Sequence, residues 1–321
     1  MRMTMDMEGL HSFIAVAREK SISKAAQKLH VTQPTLSARL RKLENGLGVT
    51  LIERGWEGVR LTKQGRFFLS YSVQLQQELE EAASLLRRRA ARESDPPIEA
   101  VTKDTRLRIG LESFLYFSFM NPVIRGIQRA APDSECNFVS KSSNLLMSML
   151  ESDGLDLCVS YIYEPKPNLR SIKIMEDEAV LMVPLQGYPD IRDDLSNVGE
   201  LFDKPFVLFE NSPLLLYREV TEKVFLYLFG KVPERFHIVD NVSVTLDILA
   251  GNFGYTFMPG SSISHLPPEK LTFRPIRIPA SFLISPIYIT YSESLAERIP
   301  MKSLLDSIRD EIVKKKRERF G

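Results

Sequence analysis

Three short apolar rows near the N-terminus confine that part of the chain to one small motif. Leu10, Phe13, Ile14 and Ala17 fall at i, i+3, i+4 and i+7, which puts four apolar side chains on one face of a helix. After Ser21 the same spacing returns in Ile22, Ala25, Ala26 and Leu29, with Ser21 or Ser23 able to accept from an uncapped backbone N–H. His30 and Val31 break the pattern. Thr32 is then placed to cap a third helix whose first turn holds Gln33 and Pro34, where the missing N–H of proline costs nothing. That helix turns Leu36, Leu40, Leu43 and Leu47 to one side and leaves Gln33, Thr35, Ser37, Arg39, Arg41 and Lys42 on its other faces. Two short helices joined by a tight turn, with Ala25 and Ala26 where they cross, make a helix-turn-helix. Leu51 to Glu53 and Val59 to Leu61, separated by a turn containing Gly55 and Gly58, predict a two-stranded wing.

From Thr62 to about Arg92 there is no proline and only Gly65, and Phe68, Leu75 and Ala82 recur at heptad spacing beside Leu79 and Leu86. This predicts a long dimerising helix; packing along the chain's own body is the alternative. Arg87, Arg88, Arg89 and Arg92 read as its solvated end, and Ser94, Asp95, Pro96 and Pro97 stop it and form a hinge. Beyond Thr105, β-rich runs alternate with helical ones, the signature of α/β layers. The predicted strands are Leu107 to Leu111, Leu155 to Tyr161, Ala179 to Val183, Phe206 to Phe209 and Ile287 to Tyr291. The predicted helices are Asn121 to Ala130, Ser143 to Glu151, Leu215 to Phe229, Val244 to Ala250 and Lys302 to Lys315. The expected organisation is a winged helix-turn-helix over 1–66, a linker helix and hinge over 67–97, and a larger module over 98–321.

At 321 residues the chain exceeds what one hydrophobic core organises, consistent with several compact units. Residues 1–66 hold 12 Lys and Arg against 6 Asp and Glu, leaving 30 against 35 in the remainder: a basic head on a mildly acidic body. No signal peptide or membrane-spanning run is expected, which points to the cytoplasm. Cys136 and Cys158 sit in apolar surroundings and read as buried thiols. His11, His30, His237 and His265 are scattered, and no zinc-protease, nucleophile-elbow, dinucleotide or P-loop pattern occurs, so neither catalysis nor a metal or cofactor is expected. The missing export signal argues against a plain solute-binding protein, and the large non-basic body against a nucleoid protein.

Positions 10 to 65 resemble the LysR-type transcriptional regulators. The match rests on Leu10, Phe13, Ala17, Ser21, Ala25, Ala26, Leu29, Thr32, Gln33, Pro34, Leu36, Ser37, Leu40, Leu43, Glu44, Leu47, Gly48, Leu51, Arg54, Leu61, Thr62 and Gly65. Lys20 and Trp56 depart from that family's usual small and basic residues. The glycine-containing turn from Ala250 to Pro259 carries a weaker likeness. The resemblance implies a regulator that binds double-stranded DNA at an inverted repeat as a dimer, paired into a tetramer, and answers a small-molecule effector. Gln33, Pro34, Thr35, Ser37 and Arg39 are then expected at base edges, with Ser23, Arg54, Arg60 and Lys63 nearer the phosphates. It also implies a periplasmic-binding-protein-like module of two α/β lobes, about 106–165 plus 276–321 and about 166–275, with the effector between them. Effector positions carry onto Glu112, Ser113 and Phe114, onto Ser160 and Tyr161, and onto Asn211, Ser212 and Pro213. Each serine could equally cap the helix that follows it. Glu112 either faces the cleft, favouring an amine or hydroxyl, or points to solvent.

Overall fold

The computed structural model describes residues 6–56, 58–90, 106–188, 190–209, 222–227, 229–263, 272–278 and 284–320. The chain forms two compact units, Met1–Thr102 and Lys103–Gly321.

In the first unit, α1 (Met7–Glu19) starts at Asp6, whose carboxylate accepts from the Gly9 amide at 2.7 Å. The chain then turns through Lys20 in the left-handed region, at φ 52°. Ser21, rather than Ser23, caps α2 (Ile22–Lys28), and Thr32 caps α3 (Gln33–Leu47). Phe13, Val16, Ala25, Ala26, Leu36, Leu40, Leu43 and Leu51 close one core, and the two alanines are buried where α2 meets its neighbours. The wing is β1 (Ile52–Gly55) paired antiparallel with β2 (Gly58–Leu61), with Ile52 opposite Leu61. Its first strand starts later than the apolar pattern suggests. The Leu51 amide is given to the Glu44 side chain at 2.7 Å instead of to a ladder, while the leucine itself fills the core.

The long helix is α4 (Lys63–Ala90), entered through Thr62, whose hydroxyl accepts from the Gly65 amide and donates to the Thr50 carbonyl, both at 2.8 Å. Gly65 is required by space: a Cβ there would lie 2.0 Å from the Leu51 carbonyl oxygen. Gln74, Gln76 and Gln77 each donate to the glutamate four residues on, covering part of the helix with i, i+4 pairs. Arg92 and the expected hinge at Ser94 to Pro97 lie outside the described residues.

The second unit is built on one mixed sheet in the order β10-β6-β11-β5-β3-β4, with β9 also on β6. Its strands are β3 (Leu107–Glu112), β4 (Cys136–Lys141), β5 (Leu157–Ser160), β6 (Leu169–Pro184), β9 (Thr256–Pro259), β10 (Phe273–Arg277) and β11 (Ile284–Ser292). β7 (Phe206–Phe209) and β8 (Phe236–Val239) form a parallel pair. The first lobe packs α5 (Tyr116–Ala130) and α10 (Met301–Phe320) on one sheet face, and α6 (Ser143–Glu151) on the other. α9 (Glu293–Arg298) leads from β11 into α10. In the second lobe, alternate residues of β6 and β7 feed two cores. Leu181, Val183, Phe206 and Leu208 point to one, while Met182, Val207 and Phe209 point to the other beside α7 (Val242–Ala250).

The lobe boundaries differ from the expected 165/166 and 275/276. β6 is a single strand that serves both lobes: Leu169 to Glu178 pairs with β11, and Ala179 to Pro184 pairs with β9 and β10. The first crossing therefore falls inside a strand, near Asp177, because alternating apolar residues let one strand bury itself in two successive cores. Ile276 and Ile278 still pack in the second lobe, which moves the return crossing beyond them.

Replacing Gly65 with Ala should destabilise the first unit by about 1–3 kcal/mol or more, since the obstructing atom is backbone. Thermal denaturation of the full chain, with Gly55→Ala as a control where the nearest atom to an added Cβ lies 3.9 Å away, measures it.

Candidate nucleic-acid interface and effector cleft

Burying Leu36, Leu40 and Leu43 decides what α3 shows to its surroundings. At 100° per residue the opposite face is Pro34, Ala38, Arg41 and Asn45; these four are exposed, as are Gln33 and Thr35 in the first turn. Ser37 is half-buried. The Thr35 hydroxyl lies 2.9 Å from that of Thr32, so the cap has first use of it. Arg39, expected to read bases, sits at the flank nearer α1 and pairs with Glu8 at 2.9 Å. Lys42 similarly pairs with Asp6 at 2.6 Å. That hydrogen bond, together with the Gly9 amide, holds the Asp6 carboxyl below its usual value and raises Lys42. Arg41 has no carboxylate partner among the described residues. It was visible in the sequence, since it lies roughly opposite the leucine row; the Glu8 partner that engages Arg39 was not.

Ser23, Arg54, Arg60 and Lys63 are all exposed. The wing that carries two of them is braced at its base. The Val59 amide donates to the Lys20 carbonyl at 3.1 Å, and the Glu44 carboxylate accepts from Leu51 and Ile52. Gly58 sits at φ 116°, where a side chain would be strained and a Cβ would lie 2.9 Å from the Lys20 oxygen. Beside the wing, Leu47, Val49, Leu51, Lys63, Gln64, Phe67 and Phe68 line an apolar groove of about 440 Å³.

In the second unit five of the expected effector residues, Glu112, Ser113, Phe114, Ser160 and Tyr161, gather where the lobes meet, at the ends of β3 and β5. Glu112 neither opens into a cleft nor points to solvent; it is 7% exposed, and its carboxylate turns back to accept from the Phe114 amide at 2.8 Å. Burial pushes the carboxyl up to about 7, against the downward pull of the Phe114, Leu115 and Ser113 amides. Glu112 thus occupies the N–H groups that a bound anion would otherwise take. Phe114 packs against the core of the second lobe, its ring centroid 4.5 Å from that of Phe209. Ser113 is buried, with the Ser140 hydroxyl 3.4 Å from its own. Ser160 is fully buried, and its hydroxyl and the Ile162 backbone bond to each other at 3.4 Å.

Tyr161 donates to Asp177 at 3.1 Å, and Ser261, in the one-turn helix α8 (Gly260–Ile263), donates to the same carboxylate through its backbone at 2.9 Å and its hydroxyl at 2.5 Å. Ser262 donates to the Phe114 carbonyl at 2.8 Å. The two lobes are therefore clasped through Tyr161, Asp177 and Ser261. Burial raises Asp177, and burial with the adjacent Asp177 charge raises Tyr161 further. Sequence reasoning missed Asp177 and Ser261, because neither follows a strand end in the expected pattern. Asn211, Ser212 and Pro213 lie outside the described residues.

Other buried or titratable side chains of the second unit have structural work. Asp156 is 2% exposed and bonds the Arg108 side chain and amide as well as Arg298. Cys136 and Cys158 are free thiols, and burial pushes Cys158 up to about 12. His237 stacks on Phe253 at 4.3 Å. Among the described residues no group of His, Cys, Asp and Glu could hold a metal ion, and no helix is long and apolar enough to cross a membrane.

A winged helix-turn-helix with an uncovered polar helix face, followed by two α/β lobes strung on a shared strand, defines a DNA-binding regulator with a small-molecule-sensing module. The family model "Bacterial regulatory helix-turn-helix protein, lysR family" matches residues 7–66, and "LysR substrate binding domain" matches residues 102–312. The chain belongs to the LysR family of transcriptional regulators, which bind DNA through the first domain and an effector through the second. It is 26% identical over 307 residues to the HTH-type transcriptional regulator BenM of Acinetobacter baylyi, covering 95% of each chain. To the regulator PcaQ of Agrobacterium fabrum it is 24% identical, over 94% of this chain and 93% of that one. The crystal structure of full-length BenM shares the fold, with TM-score 0.51 and 22% identity over 97% of this chain and 98% of that chain. By family, then, the chain is a DNA-binding regulator.

The Glu112 carboxyl, raised from 4.5 to about 7, keeps a proton in the folded chain across that window that the unfolded chain releases. Its contribution is present in full below pH 4.5 and is lost as pH rises through 7, by about 3 kcal/mol in all at 1.36 kcal/mol per unit. Urea denaturation of the second unit's signal by circular dichroism at pH 5 and pH 8 should show this loss in the wild type, and a much smaller one in Glu112→Gln.

Proposed function

We propose that the chain is a cytoplasmic regulator that reads an inverted repeat as a dimer, paired into a tetramer, through the outward face of α3. The observation that carries this is the row of exposed residues opposite the buried leucines, with Arg41 unpaired among the described residues and the unit's surplus of positive charge around it. Gln33, Pro34, Thr35 and Arg41 reach base edges. Ser23, Arg54, Arg60 and Lys63 hold phosphates, and Ser37 contributes from the flank. Arg39 is free to do so only by leaving Glu8, a part-exposed pair worth about 1 kcal/mol.

The dimer reading is supported by α4, where Phe67, Tyr71, Leu75 and Leu79 are exposed at four-residue intervals. Such a stripe is covered by a second helix of the same kind. In the second unit, a small polar molecule seated beside Ser113, Ser160 and Tyr161 competes with the Tyr161–Asp177–Ser261 clasp. It shifts the lobes to the extent that it binds one arrangement more tightly than the other.

Two measurements test these readings. Arg41→Ala should cost about 1–3 kcal/mol and relax the preference at one base pair, whereas Arg39→Ala costs less; titration against the chain's own upstream duplex and single-base variants separates them. Equal losses for both would remove the assignment to Arg41. Leu75→Glu with Leu79→Glu should convert the dimer to monomer in sedimentation experiments.

A further inference from the structure

We propose that Glu112 is a built-in anion: it fills the amide nest at the start of α5 with the chain's own carboxylate, so that the effector meets that end of the lobe junction with an uncharged or cationic hydrogen-bond donor and not with a carboxylate. The inference rests on the effector reading of the second unit and names the chemical class that this reading leaves open.

A helix start with free N–H groups attracts anions. The start of α5 is of this kind, since its cap residue, Leu115, offers no side-chain hydrogen bond. Glu112 supplies one from outside the helix. Its carboxylate accepts from the Phe114 amide at 2.8 Å, and the Leu115 and Ser113 amides pull on it in the same sense. Capping alone does not account for the residue chosen. A serine or asparagine at the cap would satisfy such amides with a neutral side chain. Glu112 instead is a carboxylate 7% exposed, and among the described residues it pairs with no Lys, Arg or His. Lys141, opposite it in the β3–β4 register, is exposed and makes no ion pair with it. Burying an unpaired carboxylate is costly, and what it secures here is a nest closed to anions from outside.

The surroundings carry the same sign. Burial, then the charges of Asp177 and Glu112, raise Tyr161, so a single phenol lies in the field of both acids. The side chains that donate to Asp177, Tyr161 and Ser261, are uncharged. A carboxylate on a ligand would face these two acids with no cation between them. An ammonium or hydroxyl group could donate to Asp177 in place of its present partners. In the first turn of α5 the Ser118 hydroxyl is buried without a hydrogen-bond partner among the described residues. The polar atom left unsatisfied at this helix start is therefore a neutral one, while the anion's place is taken.

Sodium formate, the smallest carboxylate, is the probe, at pH 8, above the Glu112 value of about 7. Thermal denaturation of the full-length chain is compared in formate and in sodium chloride of equal concentration for the wild type, Glu112→Ala and Glu112→Ser. The second variant keeps the comparison alive if the first fails to fold. An emptied nest should take formate and raise the midpoint of the variants by about 2–4 °C, with no difference between the salts in the wild type. Affinity for a duplex of the chain's own upstream region, measured in the same solutions, should change severalfold with formate in the variants alone. If formate stabilises the wild type as much as the variants, an anion enters with Glu112 in place and the proposal is overturned. If it stabilises neither variant, the proposal also falls and the effector reading is untouched. If the variants are stabilised while duplex affinity stays constant, the built-in anion stands and the coupling of the junction to DNA is refuted.

Discussion

The first unit depends on the obligation of α3 to bury one row of leucines. Leu36, Leu40 and Leu43 must leave water, and Ala25 and Ala26 allow α2 to come close enough to cover them. Once that side is fixed, helical geometry leaves no freedom in what the other side presents. The same packing ranks the arginines: Arg39 falls at the edge, within reach of Glu8, and Arg41 falls outside. The wing depends on it too, since Glu44 extends from α3 to hold the Leu51 and Ile52 amides.

The second unit depends on a comparable constraint in β6. A strand that serves two lobes needs alternating burial on both sides of the crossing, and it brings whatever residue sits at the crossing into the junction. Asp177 occupies that place and is satisfied from both lobes, by Tyr161 on one side and by Ser261 on the other. An ionised carboxylate so deeply buried is tolerated only with several donors. The clasp is therefore coupled to lobe arrangement: separating the lobes leaves Asp177 short of partners, and anything that replaces those donors changes the cost of separation. Glu112 adds a second constraint, by filling the amide groups that follow β3 with the chain's own carboxylate.

Much of this was legible beforehand. The helix-turn-helix follows from i, i+3, i+4 spacing, capping residues and a proline in a first turn, all local features. Ser143 to Glu151 and Phe206 to Phe209 were also recoverable with their bounds, because each is a continuous apolar or periodic run. β4 and β8 were not. Among the described residues β4 pairs only with β3 and β8 only with β7, so each is an edge strand and half of its residues face away from the core. An edge strand carries no strong hydrophobic pattern.

By itself, then, the sequence determined the order of the modules, the capped helices of the first unit and the family to which they belong, since those depend on neighbours within a turn or two. The tertiary structure alone decided that Arg39 is engaged by Glu8, that Glu112 is turned inward, that Phe114 serves as a lobe contact, and that Asp177 joins the lobes. Those outcomes depend on which groups compete for the same donor or cavity, and the competitors lie far apart in the chain: Glu8 for Arg39, Phe209 for Phe114, Ser261 for Asp177. Local periodicity places a residue on a face; it does not say what will be waiting there.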